Sequence, residues 1–374
     1  MNRIAESLER LRSRGNYRSI PPADRREYLD FTSNDYLGLA GMKTLQEEFF
    51  ARTGTTAIPL SSSASRLLSG VQEEFEALEE KLERLYGRSA LLFNSGYHAN
   101  TGMIAALGDS HTLILADKLV HASIIDGYRL SDARMVRFRH NDIAHLEKLL
   151  ARMAGDYERV IVVIESVYSM DGDSPDLQAI TELKQRYGNV MVYVDEAHAF
   201  GVCGPKGLGM CANPEIAGDV DIVVGTLGKA GASSGAFVIT GKRIKEYAVN
   251  CARSLIFSTA IPPICCSWTN FLLDKIIVMD DERQHLKNLG VRLAESLQPL
   301  TDVEITPSHI QPFILGDSRR AVELSGALLE EGIKVLPIRT PTVPAGTERL
   351  RISLSAGMNV SDVDRLAAAI GRLI

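Results

Sequence analysis

Two apolar runs that each stop at a charged residue constrain this chain more than anything else in it. Val190 to Val194 ends at Asp195, with His198 a short step beyond; Ile222 to Val224 ends in Gly225, Thr226, Leu227, Gly228 and Lys229. Each run has the length and β-branched content of a strand buried in a parallel sheet. A carboxylate and an ammonium therefore fall just past the C-terminal ends of two strands, where open α/β sheets hold their ligands. Lys229 is the only charged residue between Asp221 and Lys242 and sits among Gly, Ala, Ser and Thr, so solubility does not explain it.

The sheet these runs imply extends well to either side of them. From Ala90 onward, ALLF, TLILAD, MVRF, RVIVVIES, VMVYVDE and DIVVGT alternate with helical stretches starting near His98 and Ala122 and running through His145 and Leu177. That alternation predicts an α/β fold, a mostly parallel sheet with helices on both faces. AFVIT follows too closely for a crossover helix, which points to an antiparallel strand. Upstream, Phe75, Leu78, Leu82 and Leu85 mark a helix that opens on a capping-box pattern, Ser69 to Gln72, and closes at Gly87.

Residues 1–40 read as an N-terminal arm, with Ile4, Leu8 and Leu11 at helical spacing before Pro21 and Pro22. Residues 41–278 form the large domain. Residues 279–374 mix a charged helix (281–297), VEIT, IQPFIL, a helix (319–331), KVLPI, RLRISLS and a last helix from Asp362, the pattern of a small α+β domain.

Several roles are disfavoured. A net charge of -6 over 374 residues argues against a nucleic-acid partner. No apolar run is long enough to span a membrane, and the charged N-terminus lacks the apolar core of a secretory signal. Five cysteines without a CxxC pair or zinc spacing suit a reducing cytoplasm and give no metal site. GTLGKA resembles a phosphate loop, but its glycines are too close and no Ser or Thr follows Lys229 to hold magnesium. Gly231 to Gly235 matches G-x-S-x-G around Ser233, yet it leads into a strand, not from a strand into a helix. No GxGxxG follows an early strand, against a dinucleotide site.

What remains is a set of polar residues at strand ends. Asn94, Ser95, Gly96 and Tyr97 lie at a strand-to-helix turn whose free N–H groups suit an anion; His121, Ser166, Ser169, Asp195, His198 and Lys229 follow other strands. Singly, each has an ordinary explanation as a cap, a turn or a packed side chain. Together, an amine, a carboxylate, two histidines, a serine and an anion-binding turn match the needs of pyridoxal 5′-phosphate. A lysine forms its Schiff base, and a carboxylate partners its pyridinium nitrogen and keeps the ring an electron sink.

VDEAHAFG, TLGK, HAS, SMDGD and the PTVPAGTERLR segment resemble the α-oxoamine synthases, fold-type I pyridoxal-phosphate enzymes, across nearly the whole chain. The resemblance implies decarboxylative condensation of an amino acid with an acyl thioester carried by coenzyme A or an acyl-carrier protein. Within the family, IRTPTVPAGTERLR resembles most the member that joins L-alanine to a pimeloyl group in biotin biosynthesis; a glycine acetyl-transferring relative shares every cofactor residue. It implies Lys229 as the Schiff-base lysine, Asp195 as the pyridinium partner, His198 on the ring 3′-oxygen and His121 stacked on the ring. Gly96, Tyr97, Ser169 and Thr226 would also meet the cofactor. Arg339, assisted by Asn34, would grip the amino-acid carboxylate, and Arg18 and Thr342 would meet the acyl substrate. Ser258 and Thr259 would reach the phosphate of a neighbouring subunit, which implies a homodimer with sites at the interface. Two segments depart from the family's usual glycine-rich forms: SSSAS (residues 61–65) and AGASSG after Lys229.

Overall fold

The computed structural model describes residues 2–13, 17–20, 26–53, 58–69 and 72–374; Pro21 and Pro22 lie outside them. The strands are β1 (Leu29–Asp30), β2 (Ser89–Phe93), β3 (Thr112–Asp117), β4 (Arg134–Phe138), β5 (Arg159–Glu165), β6 (Val190–Asp195), β7 (Ile222–Thr226), β8 (Ala236–Thr240), β9 (Ile310–Ile314), β10 (Ile333–Lys334), β11 (Leu336–Ile338) and β12 (Arg349–Ser353). The chain divides into two compact units. The larger holds 37–169 and 173–283; the smaller holds the residues up to Tyr36, Met170–Gly172 and 284–374.

In the larger unit, seven strands form one sheet in the order β2-β8-β7-β6-β5-β3-β4. Its parallel ladders run from β7 to β4, and β8 alone runs against its two neighbours, as its short connection predicts. Alternate residues feed two cores. Val160, Val162, Val192 and Val194 pack under the helices Glu73–Tyr86, Ile143–Met153 and Leu177–Arg186. Ile161, Val163, Tyr193 and Val224 pack under Gly96–Leu107, Ala122–Arg129 and Lys242–Cys251. Each such aliphatic side chain contributes about 1.5–3 kcal/mol on burial, so a one-residue register slip, which would swap the two faces, is strongly resisted. The register thus fixes which residues crown the C-terminal edge: Asp117, Phe138, Glu165, Asp195 and Thr226.

The smaller unit carries the antiparallel sheet β11-β12-β9 and the parallel pair β1-β10. That pair explains why the N-terminal residues group with the C-terminal ones. The divisions fall after Tyr36 and Arg283, not at 40 and 278.

Three local expectations change. VEIT is no strand: only Ile305 is buried, and its N–H donates to Gln298 Oε1 (3.0 Å), so its backbone is satisfied without a ladder. KVLPI splits into β10 and β11, which serve different sheets. Ser69 ends a short helix, Arg66–Ser69, and Gln72 is the N-cap of Glu73–Tyr86 without a side-chain bond to that helix's own backbone. Three glutamates in that helix's first turn complement its positive end instead. At its other end Gly87, at φ 66°, donates to Glu83 O as expected.

Candidate active site

The ends of β6 and β7 bring Asp195, His198, Thr226 and Lys229 to one cavity of about 150 Å³, lined also by Gly96, Tyr97, Asn100, His121, Glu165 and Ala197. Lys229 Nζ lies 2.7 Å from His198 Nε2. The turn after β6 comes close to the turn after β7 because Gly201 takes φ 89°; a Cβ there would lie 2.5 Å from that of Ala230.

Asp195 is 5% exposed, and each of its oxygens has a donor. Asn100 Nδ2 gives to Oδ2 at 2.7 Å, and the Ala197 N–H gives to Oδ1 at 2.9 Å. The Asn100 Oδ1 accepts from Tyr193 OH (2.8 Å), while its Nδ2 also reaches Ser123 Oγ (2.9 Å). Two side chains the sequence reading missed, Asn100 and Glu165, therefore belong to this cavity. An asparagine in the middle of a helix that goes on into the apolar run 103–107 was the available signal for the first.

His121 caps the helix Ala122–Arg129, with its Nδ1 accepting from the Ser123 N–H. It keeps an exposed edge, yet burial of its ring holds it below the usual imidazole range; Asp195 opposes this and Lys229 adds to it. Tyr97 is half-exposed and donates to Asp126 Oδ2 at 2.6 Å. The hydrogen bond to Asp126 keeps its phenol protonated beyond the ordinary range.

The helix Gly96–Leu107 points its N-terminus at this cavity, capped by Ser95. A Cβ on Gly96 would reach to 3.7 Å from Thr226, filling space between two cavity-lining residues. Amine, carboxylate, two imidazoles and a helix N-terminus together suit a flat, anionic aldehyde cofactor. Among the described residues no cluster of three or more His, Cys, Asp or Glu could hold a metal ion.

Other expected residues lie apart from this cavity. Ser169 is not among its lining residues; its backbone N–H faces Glu165. Ser258 and Thr259 are met by Asn94 Nδ2, which donates to Ser258 Oγ (3.0 Å) and to the Thr259 carbonyl. Ser62 of SSSAS donates to Ile261 O, which ties that departure to the same segment. Ser233 donates to Cys265 O and accepts from Thr269 Oγ1 (2.7 Å), a structural pairing without the basic partner a nucleophile needs.

In the smaller unit, Arg18, Arg339 and Thr342 line a cavity of about 480 Å³ together with Tyr17 and Thr340. Arg18 Nη2 donates to Thr342 Oγ1 at 2.9 Å. Asn34 meets Arg351. Its Oδ1 accepts from Tyr36 OH (3.0 Å) and from Arg351 Nη2 (3.1 Å), and Arg351 is a buried guanidinium of β12.

Residues 26–370 match the family Aminotransferase class I and II. An 8-amino-7-oxononanoate synthase of Haemophilus ducreyi is 46% identical, over 99% of this chain and all of its own length. Among solved structures, a lysine-to-alanine variant of serine palmitoyltransferase from S. paucimobilis with bound PLP–myriocin aldimine superposes at a TM-score of 0.88 with 27% identity, covering 99% of this chain and 96% of the other. The 8-amino-7-oxononanoate synthase of Francisella tularensis gives 0.76 with 28% identity, over 92% and 97%.

Proposed function

We propose, from the premise that this chain belongs to the class I and II aminotransferase family and within it to the α-oxoamine synthases, that it joins L-alanine to a pimeloyl thioester with loss of carbon dioxide. It is a pyridoxal 5′-phosphate-dependent acyltransferase of the condensation step of biotin biosynthesis. The observation that carries the residue assignment is Lys229 Nζ at 2.7 Å from His198, in one cavity with Asp195 and the helix beginning at Gly96.

Lys229 would hold the cofactor covalently, Asp195 would meet its ring nitrogen, His198 and Thr226 its oxygens, and His121 its face. The N-terminus at Gly96 and Tyr97 takes the phosphate, and Ser169, Ser258 and Thr259 supply further hydroxyls, the last two to a second copy of the chain. Bound there, pyridoxal 5′-phosphate supplies an electron sink for charge developing at the amino acid's α-carbon. As a free amine, Lys229 Nζ would take the α-proton. His121 donates to the thioester carbonyl as charge builds on its oxygen. Arg351, positioned by Asn34, grips the amino-acid carboxylate through charge-assisted bonds; Arg339 shares its cavity with Arg18 and Thr342 and turns to the acyl substrate instead.

A homodimer with shared sites is supported by apolar side chains left bare in one copy: Ile4 (66% exposed), Leu68 (83%) and Phe257 (71%). No helix among the described residues is long and apolar enough to cross a membrane, and the five free thiols fit a cytoplasmic location. The deciding experiment measures thiol and carbon dioxide release across alanine, glycine and serine, with pimeloyl and acetyl groups on coenzyme A and on a carrier protein. Alanine with a pimeloyl thioester is expected to lead by at least about tenfold in kcat/KM. A preference for glycine with acetyl thioester would sink the substrate assignment and leave the cofactor chemistry standing.

A further inference from the structure

Glu165 ends β5 and pairs in parallel register with Asp195 on β6. It shares a face with Ile161 and Val163, as Asp195 does with Tyr193, so both carboxyls rise under the helix Gly96–Leu107 and line the same cavity. Glu165 is 2% exposed. The backbone N–H groups of Ser169 and His121 point at its carboxyl, yet Oε1 has no hydrogen-bond partner among the described residues.

The donors around the two acids differ. Asp195 receives one at each oxygen, from the Asn100 amide and from the Ala197 N–H. Neighbouring strands lie about 5 Å apart, and two buried carboxyls at that spacing do not both ionise readily. Of the two, Glu165 is the one with an oxygen short of a donor, and so the one that holds a proton. A carboxylic acid at Glu165 accepts the two backbone N–H groups on one oxygen and carries its proton on the other, the one without a partner.

We propose that Glu165 is a further residue of the site, a carboxylic acid that touches the bound cofactor and donates the hydrogen on Oε1 to an oxygen of it. This rests on the cofactor assignment above. Burial pushes the Glu165 carboxyl well above its usual range, the charge of Asp195 adds to this, and Lys229 and the two backbone donors oppose it. No bond is made or broken; the acid supplies a donor where a carboxylate would repel.

The test uses the full chain. Pyridoxal 5′-phosphate is titrated into cofactor-free wild type, Glu165→Gln and Glu165→Ala, with circular dichroism to verify folding. Gln keeps a neutral donor and is expected to bind within about threefold of wild type, whereas Ala is expected to bind about tenfold more weakly. In parallel, the infrared difference between wild-type and Glu165→Gln holoenzymes at neutral pH should contain the carbonyl stretch of a protonated carboxylic acid. The proposal is overturned if that band is missing, or if folded Glu165→Ala binds as tightly as wild type. Should the wild type itself bind no cofactor, the failure belongs to the functional reading and not to Glu165.

Discussion

The cavity of the larger unit and that of the smaller one are built by opposite means. At the first, Asp195, Glu165 and Thr226 are the last residues of strands whose register is set by two hydrophobic cores. Their partners, such as the Tyr193–Asn100–Asp195 chain, are buried. At the second, Arg339, Thr340 and Thr342 sit on an irregular segment between β11 and β12, and Arg18 comes from before the first strand. The side-chain bond that links them, Arg18 to Thr342, is exposed. A group held by strand register can be placed to a fraction of an ångström and can do chemistry. A group held on a loop suits recognition, where shape can vary between relatives without disturbing the reaction.

If that division is right, the largest effects come from the first cavity and appear as lost chemistry. Lys229→Ala is expected to lower kcat by at least about 10,000-fold, since it removes both the covalent anchor and the base. The protein-bound cofactor absorbance should vanish with it. Covalent cofactor in the purified variant would break the comparison at its root.

The next effect falls on stability, in the scaffold that supports the same strand ends. His140 bridges Asp117 Oδ1 (2.9 Å) at the end of β3 and Asp173 Oδ2 (2.8 Å) after β5. Burial works against its charge, but those two carboxylates outweigh it and raise the imidazole from 6.5 to about 10. A folded value above the unfolded one means that this stabilisation is complete below pH 6.5 and is lost as pH rises toward about 10. His140→Gln leaves the fully buried Asp117 without its cation and is expected to cost roughly 3 kcal/mol at pH 6. Urea unfolding at pH 6 and pH 9.5 should show wild type losing stability across that window and the variant lacking that loss. A parallel decline in both would assign the pH dependence elsewhere.

Legibility in the sequence follows the same division. The sheet, its reversed strand and the residues at the ends of β6 and β7 could be read because buried parallel strands leave long apolar runs that end abruptly. Glu165 could be read as part of RVIVVIES, but nothing in one dimension reveals that its register partner is Asp195. Asn100 was missed for a similar reason: its importance lies in a bond to a residue far along the chain. VEIT was misread because alternation alone cannot tell that the backbone is satisfied by the Gln298 side chain. The link of Asn34 to Arg351 is likewise a matter of tertiary pairing.

That link gives the third test, on recognition. Arg351→Ala is expected to raise the KM for the amino acid about 10- to 100-fold, the worth of a charge-assisted pair. Arg339→Ala should raise the KM for the acyl thioester and leave that for the amino acid within about threefold. If Arg339→Ala instead weakens the amino acid and Arg351→Ala does not, the roles of the two arginines are exchanged.

The smallest effect belongs to the exposed end of the second cavity. Thr342 Oγ1 accepts from Arg18 at 2.9 Å, a bond between two side chains open to water. Hydrogen bonds to a charged donor are worth about 1.5–3 kcal/mol when shielded and less at the surface. Thr342→Val keeps the shape and removes the acceptor, so Arg18 loses only its anchoring point. The expected result is a rise of about three- to fivefold in KM for the acyl thioester with kcat unchanged, the signature of lost uniform binding. A fall in kcat of the same size would mean that this loop helps to set the geometry of the reaction, and the contrast between strand-held chemistry and loop-held recognition would not survive it.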